Sequence, residues 1–255
     1  MENNELNITW CYPDILNLHG DRGNIMALKR VAELLELKVN INKIENYQDE
    51  IDFENTDILF FNAGELKVVE PIVEALKSKK EELDNYIKKG KIIMAIGSTG
   101  AVFAQEVMRT DGSIVKGLGY LDMRCIEREY VYGDDLIYRL KDDENMEING
   151  SQIQIIDTLL NDGIELGTLI YGKGNNGEVD KSEGAKYKNL IFTNCLGPVL
   201  VKNPWYAEKL IRQAMENKGI KIEKQIDKDE YEIERKSMEC IKRFIDKKTS
   251  EEKKG

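Results

Sequence analysis

The chain is nearly without histidine, since its 255 residues include only His19. Histidine is the usual proton acceptor beside a serine or cysteine nucleophile. A serine–histidine or cysteine–histidine pair therefore has very little from which it can be built.

Cysteine is also sparse. The four cysteines, Cys11, Cys125, Cys195 and Cys240, are widely spaced and form no Cys-x-x-Cys pair. This spacing argues against a zinc site and against a dense disulfide framework, and it favours reduced thiols in a cytoplasm. We expect neither a metal nor a cofactor.

Positive charge and long apolar runs are lacking as well. The 37 Lys and Arg residues against 47 Asp and Glu give a formal net charge of −10, which disfavours nucleic acid and anionic membranes as partners. The amino terminus lacks the pattern of a signal peptide, and no stretch reaches the roughly eighteen apolar residues of a membrane span. The sequence predicts a cytoplasmic protein without a membrane span.

Strand and helix patterns alternate over the first hundred residues. LNITW (6–10), DILFF (57–61) and KIIMAI (91–96) are predicted strands, whereas Ile25 to Leu35 and Pro71 to Gly90 have helical spacing. KVNINKI (38–44) alternates like an outer strand, and DILFF is continuously apolar like a central one. The alternation predicts an α/β fold with a mostly parallel sheet and helices on both faces.

The pattern changes after about residue 117. Short strand candidates such as MRCIEREYVYG (123–133) and DLIYRL (135–140) follow, and we expect antiparallel additions to the sheet here. GTLIYG (167–172) and NLIFTN (189–194) are predicted late strands, before a closing helix at 204–217.

The last 38 residues are rich in charge, so we divide the chain into a domain at 1–217 and an extension at 218–255. Four apolar residues predict one amphipathic helix, which could dock on this chain or on a partner: Ile233, Met238, Ile241 and Ile245. We expect KKTSEEKKG (247–255) to be disordered.

Four segments in order resemble a known family. They are YPDILNLHGDRGN (12–24), GLGYLD (117–122), GKGNNGEVDKSEGAKYKN (172–189) and TNCLGPVLVKNP (193–204). Together they are similar to the motifs of the GatD-type glutaminase subunits of lipid II isoglutaminyl synthase, in the cobyric acid synthase-like branch of class I glutamine amidotransferases. The resemblance implies a flavodoxin-like fold. It also implies a Mur-ligase-like, ATP-dependent amide synthetase as partner. In the family, the glutaminase subunit makes ammonia, and the synthetase uses this ammonia to amidate the D-glutamate of lipid II.

The chain departs from the family where the chemistry is expected. Gly97 matches the position of the cysteine nucleophile, and Leu196 matches that of the histidine base. Asn62–Leu66 replaces the family's oxyanion-binding Gly-Gly-Gly-Gln-Asp segment and keeps Gly64 alone, and Gln152–Gln154 replaces a Glu-Asn-His stretch. The resemblance therefore implies a glutaminase fold without its nucleophile or its base.

The leading prediction is a catalytically inactive homologue that regulates or scaffolds a Mur-ligase-like synthetase in cell-wall metabolism. Its catalytic site is predicted to be replaced by a vestigial pocket around Gly64, Gly97, Ser98, Thr99 and Cys195. We do not expect glutaminase activity.

Two further functions remain open. One is an amidohydrolase or amidotransferase with relocated groups, taken from Ser98, Cys195, Glu65 or His19; the other is a sensor of a small amide or amino acid. The Gly174–Gly177 loop, with Asp180 and Glu183 after it, could bind a ligand or metal, but we favour a loop that needs positive φ angles.

Overall fold

A computed structural model describes residues 4–177 and 181–252 of the chain. The amino-terminal part alternates strands and helices: β1 (Glu5–Cys11), α1 (Gly23–Leu34), β2 (Lys38–Ile44), β3 (Ile58–Phe61), α2 (Val69–Lys77), α3 (Lys80–Lys88), β4 (Ile92–Ile96) and α4 (Gly100–Phe103). The middle part consists of strands: β5 (Glu106–Met108), β6 (Ile114–Lys116), β7 (Met123–Leu140), β8 (Glu147–Leu160), β9 (Gly167–Tyr171), β10 (Ser182–Glu183), β11 (Ala185–Tyr187), β12 (Leu190–Thr193) and β13 (Cys195–Leu196). Three helices end the chain: α5 (Val199–Lys202), α6 (Pro204–Asn217) and α7 (Glu232–Glu252).

The first sheet has the strand order β11-β12-β4-β3-β1-β2. Its strands are parallel except β11, which runs antiparallel to β12. The alternating strand β2 lies at one edge and the continuously apolar β3 lies in the centre, so both predictions of strand position are confirmed. The carboxyl ends of β1, β3, β4 and β12 meet at one edge, where an α/β sheet commonly places its functional site.

Helices cover both faces of this sheet, as the sequence predicts. Leu28 of α1 and Ile211 of α6 belong to the core cluster on one face. Leu76 of α2 and Ile87 of α3 belong to the cluster on the other face. Burying an apolar stripe of each helix against an apolar strand is what stabilises this layered arrangement.

The expectation that the later strands extend the parallel sheet is wrong for most of them. Strands β5 to β10 and β13 form a second sheet, because the long strands β7 and β8 pair with each other. β7 is also one strand where the sequence predicts two. Its register against β8 shifts between Glu127 and Tyr132, so a bulge joins the two candidate segments.

One helix prediction needs correction in two respects. The helix predicted from Pro71 to Gly90 begins earlier, at Val69, and is divided into α2 and α3. Pro71 lies within the first turn, where a missing amide hydrogen costs no helical hydrogen bond. The break follows Lys77, where the Ser78 hydroxyl donates to the carbonyl of Ala75 and Lys79 leaves the helical conformation.

The charged extension forms the predicted helix, α7, and this helix docks on the same chain. Met238 and Ile245 are buried, whereas Ile233 is 80% exposed and is not part of the docking face. The helix continues through Glu252, which contradicts the expected disorder for residues 247–252; Lys248 there donates to the Tyr171 hydroxyl at 2.7 Å. Residues 253–255 lie outside the described residues. Within the described part of the chain, no helix is both long and apolar enough to cross a bilayer.

Candidate functional site

The turn after β4 has the form of a nucleophile elbow without a side chain. Gly97 follows β4 directly, has a φ of +58°, and begins a 3-10 turn that leads into α4. A Cβ atom built at Gly97 would lie 3.2 Å from Cδ2 of Leu196 and 3.3 Å from Cβ of Ala63. Both the positive φ and these close neighbours favour glycine.

Leu196 faces Gly97 from strand β13. This short strand pairs antiparallel with β8, where Leu196 lies opposite Ser151. The Leu196 side chain is buried, and it has neither a hydrogen-bond donor nor an acceptor. The two positions that the family resemblance assigns to the nucleophile and the base are therefore neighbours, and neither supplies a reactive group.

Ser98 lies in the same turn, but its hydroxyl is bonded to a neighbouring loop. Its Oγ atom donates to the carbonyl of Gly64 and accepts from the Gly64 amide at 3.2 Å. The side chain is only 9% exposed. A nucleophilic serine needs its proton directed at a base, whereas this proton is directed at a backbone carbonyl.

Thr99 and Cys195 do not line the cavity that adjoins Gly97. The Thr99 hydroxyl lies within 2.9 Å of the Ile96 carbonyl and accepts from the Ile96 amide at 3.1 Å, so it closes the turn. The Cys195 thiol is fully buried, and its removal from water raises its pKa well above the usual range. A thiol kept protonated by burial is a poor nucleophile.

The loop after β3 brings Gly64 and Glu65 to the site. A Cβ atom at Gly64 would lie 2.5 Å from Cδ2 of Leu16, so only glycine fits there without movement of its neighbours. Glu65 is exposed and forms an ion pair with Lys67 at 2.5 Å. His19 lies in the loop before α1, with a φ of +57°; it is exposed and lines the same cavity as Glu65.

A cavity of about 540 Å³ opens between these loops and the second sheet. Gly64, Gly97 and Ser98 line it together with His19 and Glu65. Most of the other lining side chains are apolar; they include Leu18, Leu66, Val131, Ile153, Ile156 and Leu196. Gly97 and Leu196 therefore adjoin an open cavity with a largely apolar wall.

Sequence reasoning did not identify the polar pair in this wall. Arg109 of the loop after β5 donates to Glu127 of β7 at 2.8 Å, and the Thr110 amide donates to the same carboxylate at 3.0 Å. These interactions hold the pKa of Glu127 below its usual value, against the opposing effect of its burial. The pair arises from strand pairing between β5 and β7, which no local motif indicates.

The glycine-rich loop at 174–177 is part of a buried polar network. Gly174 and Gly177 have φ angles of +56° and +81°. Asn175 donates to the Ser182 hydroxyl and the Gly184 carbonyl, each at 2.9 Å. Glu183 is fully buried and accepts from the Thr193 hydroxyl at 2.7 Å and from the Asn194 amide at 2.8 Å. These contacts are structural, and Asp180 lies outside the described residues.

Asp21 is a second group that the sequence analysis missed, although it lies within the amino-terminal motif. Its side chain is fully buried, and neither carboxylate oxygen has a hydrogen-bond partner among the described residues. Burial raises the pKa of Asp21 to about 6, although the nearby amides of Gly197 and Ala63 oppose the shift. Only the packing of three loops, not the local sequence, places this carboxylate in the interior.

This chain is similar to glutamine amidotransferases in both sequence and fold. Residues 7–203 match the CobB/CobQ-like glutamine amidotransferase domain. The GatD subunit of lipid II isoglutaminyl synthase (glutamine-hydrolyzing) from Streptococcus pneumoniae is 33% identical over 84% of this chain and 82% of its own length. The GatD subunit from Staphylococcus aureus is 34% identical over 92% of this chain and 94% of its own. A crystal structure of a glutamine amidotransferase, 16% identical, shares the fold with a TM-score of 0.54 over 81% of this chain and 98% of that one.

Proposed function

Because this chain belongs to the CobB/CobQ-like glutamine amidotransferase family, we propose that it is a catalytically inactive homologue of the glutaminase subunit of lipid II isoglutaminyl synthase. The observation that supports this most is the apposition of Gly97 and Leu196, since a Cβ atom built at Gly97 would lie 3.2 Å from Cδ2 of Leu196. Glutamine hydrolysis through a covalent intermediate needs a nucleophile and, next to it, a proton acceptor. This pair of residues offers neither.

We further propose a regulatory or scaffolding role beside a Mur-ligase-like amide synthetase in cell-wall metabolism, in the cytoplasm. Both GatD relatives are named as subunits of a synthase, and their similarity extends over most of this chain. In this proposal residues 1–217 form the amidotransferase-like unit, and residues 218–255 are an extension whose helix α7 docks on it. An inactive subunit can retain its fold and binding surface after losing its chemistry.

A relocated nucleophile has less support. The Ser98 proton is donated to the Gly64 carbonyl, and the buried Cys195 thiol has a raised pKa. His19 and Glu65 share the cavity, but both are exposed. None of these groups is arranged as a nucleophile bonded to a base.

The test is ammonia release from L-glutamine by the purified chain, alone and with whatever synthetase copurifies under mild extraction. We expect no release in either setting, and we expect a Mur-ligase-like protein to copurify. Sustained release that Ser98→Ala or Cys195→Ala abolishes would overturn the proposed inactivity. A chain that stays alone under mild extraction would contradict the proposed partnership but not the inactivity.

A further inference from the structure

The cavity beside Gly97 has the size and wall of a small-molecule site. Its volume of about 540 Å³ falls within the range of roughly 300 to 1,000 Å³ that is usual for ligand pockets. Its apolar lining includes Leu196, Ile156, Val131 and Ile153. The last two are 58% and 38% exposed, so apolar surface faces the open space.

Three polar side chains in the wall, Ser98, Gln154 and Asn194, already donate hydrogen bonds within the protein. Ser98 is bonded to the Gly64 backbone in both directions. Gln154 donates to the Asn175 carbonyl at 3.1 Å, and its oxygen accepts from Gln152. The Asn194 side chain donates to Asn175 at 3.0 Å and to Glu183 at 3.1 Å. A polar ligand would have to break internal hydrogen bonds in order to form new ones at these groups.

The charged side chains in the wall are paired with one another. Arg109 is bound to Glu127 at 2.8 Å, and Lys67 is bound to Glu65 at 2.5 Å. A free amino acid carries both a positive and a negative charge, so its charged groups would compete with these two ion pairs for the same side chains. An apolar ligand gains from the wall without that cost, because burial of apolar surface is favourable in itself.

We propose that this cavity binds a neutral, mainly apolar small molecule and does not bind free amino acids. His19, which is exposed and lines the cavity, would hydrogen-bond one polar atom of such a ligand, for example a hydroxyl. This inference rests on the proposed loss of glutaminase chemistry, since a working glutaminase would have to hold glutamine in this cavity. The proposed ligand of this cavity is therefore a neutral apolar compound, whereas that of a working glutaminase is an amino acid.

The experiment is a fluorescence titration of the full chain with the neutral dye N-phenyl-1-naphthylamine, followed by competition. We expect saturable binding of one dye per chain, displacement by 1-decanol, and no displacement by L-glutamine. Ile153→Asp should weaken dye binding by about tenfold or more, because it places a charge against the apolar ligand. Ile170→Asp is the matched control, since Ile170 is also an exposed strand isoleucine, 47% exposed, but lies outside the cavity lining.

Several outcomes would overturn the inference: no saturable binding, displacement by L-glutamine as effective as by 1-decanol, or equal weakening by the two variants. Circular dichroism of both variants checks that each is folded. Ammonia release from L-glutamine is measured on the same preparation. Ammonia release would contradict the proposed inactivity, regardless of the result of the dye titration. If the dye does not bind and no ammonia is released, only the proposed class of ligand is contradicted.

Discussion

Leu196 fills space that a side chain at Gly97 would need, since its Cδ2 atom lies 3.2 Å from the position of a Cβ atom there. The two substitutions are therefore structurally coupled. A cysteine restored at Gly97 alone would meet a leucine, and a histidine restored at Leu196 alone would face a glycine. Each of the two residues accommodates the other, so Gly97 and Leu196 form a packed arrangement.

This coupling predicts a non-additive effect on stability. Gly97→Ala should lower the free energy of unfolding by about 1–2 kcal/mol or more, because an alanine at a φ of +58° is strained and its Cβ contacts Leu196. In a Leu196→Ala background the contact is gone, so the Gly97→Ala loss should shrink by about 0.5–1 kcal/mol. Urea unfolding of the four proteins measures this difference.

Gly112→Ala is the matched control for that cycle. Gly112 has a φ of +83°, but a Cβ atom built there has no neighbour within 4 Å among the described residues. Its loss of stability should be the same with and without Leu196→Ala. If Leu196→Ala reduces the stability loss of Gly97→Ala and of Gly112→Ala by the same amount, the contact between a Cβ atom at position 97 and Leu196 is not the cause of that reduction.

A restored thiol should respond to a restored base. In a Cys240→Ser background, which removes the one exposed cysteine, Gly97→Cys with Leu196→His should react with iodoacetamide about tenfold faster at pH 7 than Gly97→Cys alone. An adjacent imidazole stabilises the thiolate and lowers its pKa. The rate of alkylation is followed by mass spectrometry.

The control pairs Gly97→Cys with Leu196→Asn, which removes the leucine without adding a base. If this variant reacts as fast as the histidine variant, the acceleration reflects only the space vacated by Leu196. The adjacency of the two positions would then have no chemical consequence.

Asp21 should make stability fall as pH rises through the weakly acidic range. Its pKa is about 6 in the folded chain against an ordinary 3.8, so between these values the folded state holds more protons than the unfolded state. The free energy of unfolding should therefore decrease from pH 3.8 to about 6, by up to about 3 kcal/mol in total. Below pH 3.8 both states are protonated and the effect vanishes.

Asp21→Asn should remove this dependence. Its stability relative to the unmodified chain should rise by up to about 3 kcal/mol between pH 3.5 and pH 8, as measured by urea unfolding at each pH. Asp14→Asn serves as control, because Asp14 lies in the same loop region with its side chain 83% exposed. A relative stability of Asp21→Asn that does not change with pH would contradict the assignment.

Local signals in the sequence predict the parallel sheet well. The alternation of KVNINKI matches β2 over its full range, and Pro204 at the first helical position marks the start of α6. In contrast, β7 is continuous because β8 pairs with both of its halves. A long-range partner thus overrides the local turn signal, and one sequence cannot show which partner a strand will find.

The candidate site shows the same division. The resemblance to the family points to Gly97 and Leu196 as the nucleophile and base positions, and a Cβ atom built at Gly97 would lie 3.2 Å from Cδ2 of Leu196. Thr99 and Cys195 are predicted to belong to a vestigial pocket, but both are fully buried and do not line the cavity. Their burial depends on tertiary packing, which local sequence does not indicate. The Arg109–Glu127 pair and the buried Asp21 carboxylate depend likewise on contacts between distant segments.

Helix α7 should be held on the domain by its apolar contacts more than by its ion pairs. Ile245 is 8% exposed and Ile233 is 80% exposed on the same helix. The pair of Arg30 with Glu234, at 3.0 Å, is partly exposed, and such pairs contribute only about 0–1 kcal/mol each. Ile245→Asp should therefore release the helix and speed trypsin cleavage within its lysine-rich half by about tenfold or more. Ile233→Asp should leave cleavage unchanged, because that side chain already faces solvent. If both variants are cleaved as slowly as the unmodified chain, the ion pairs hold the helix, since they are the contacts that both variants keep.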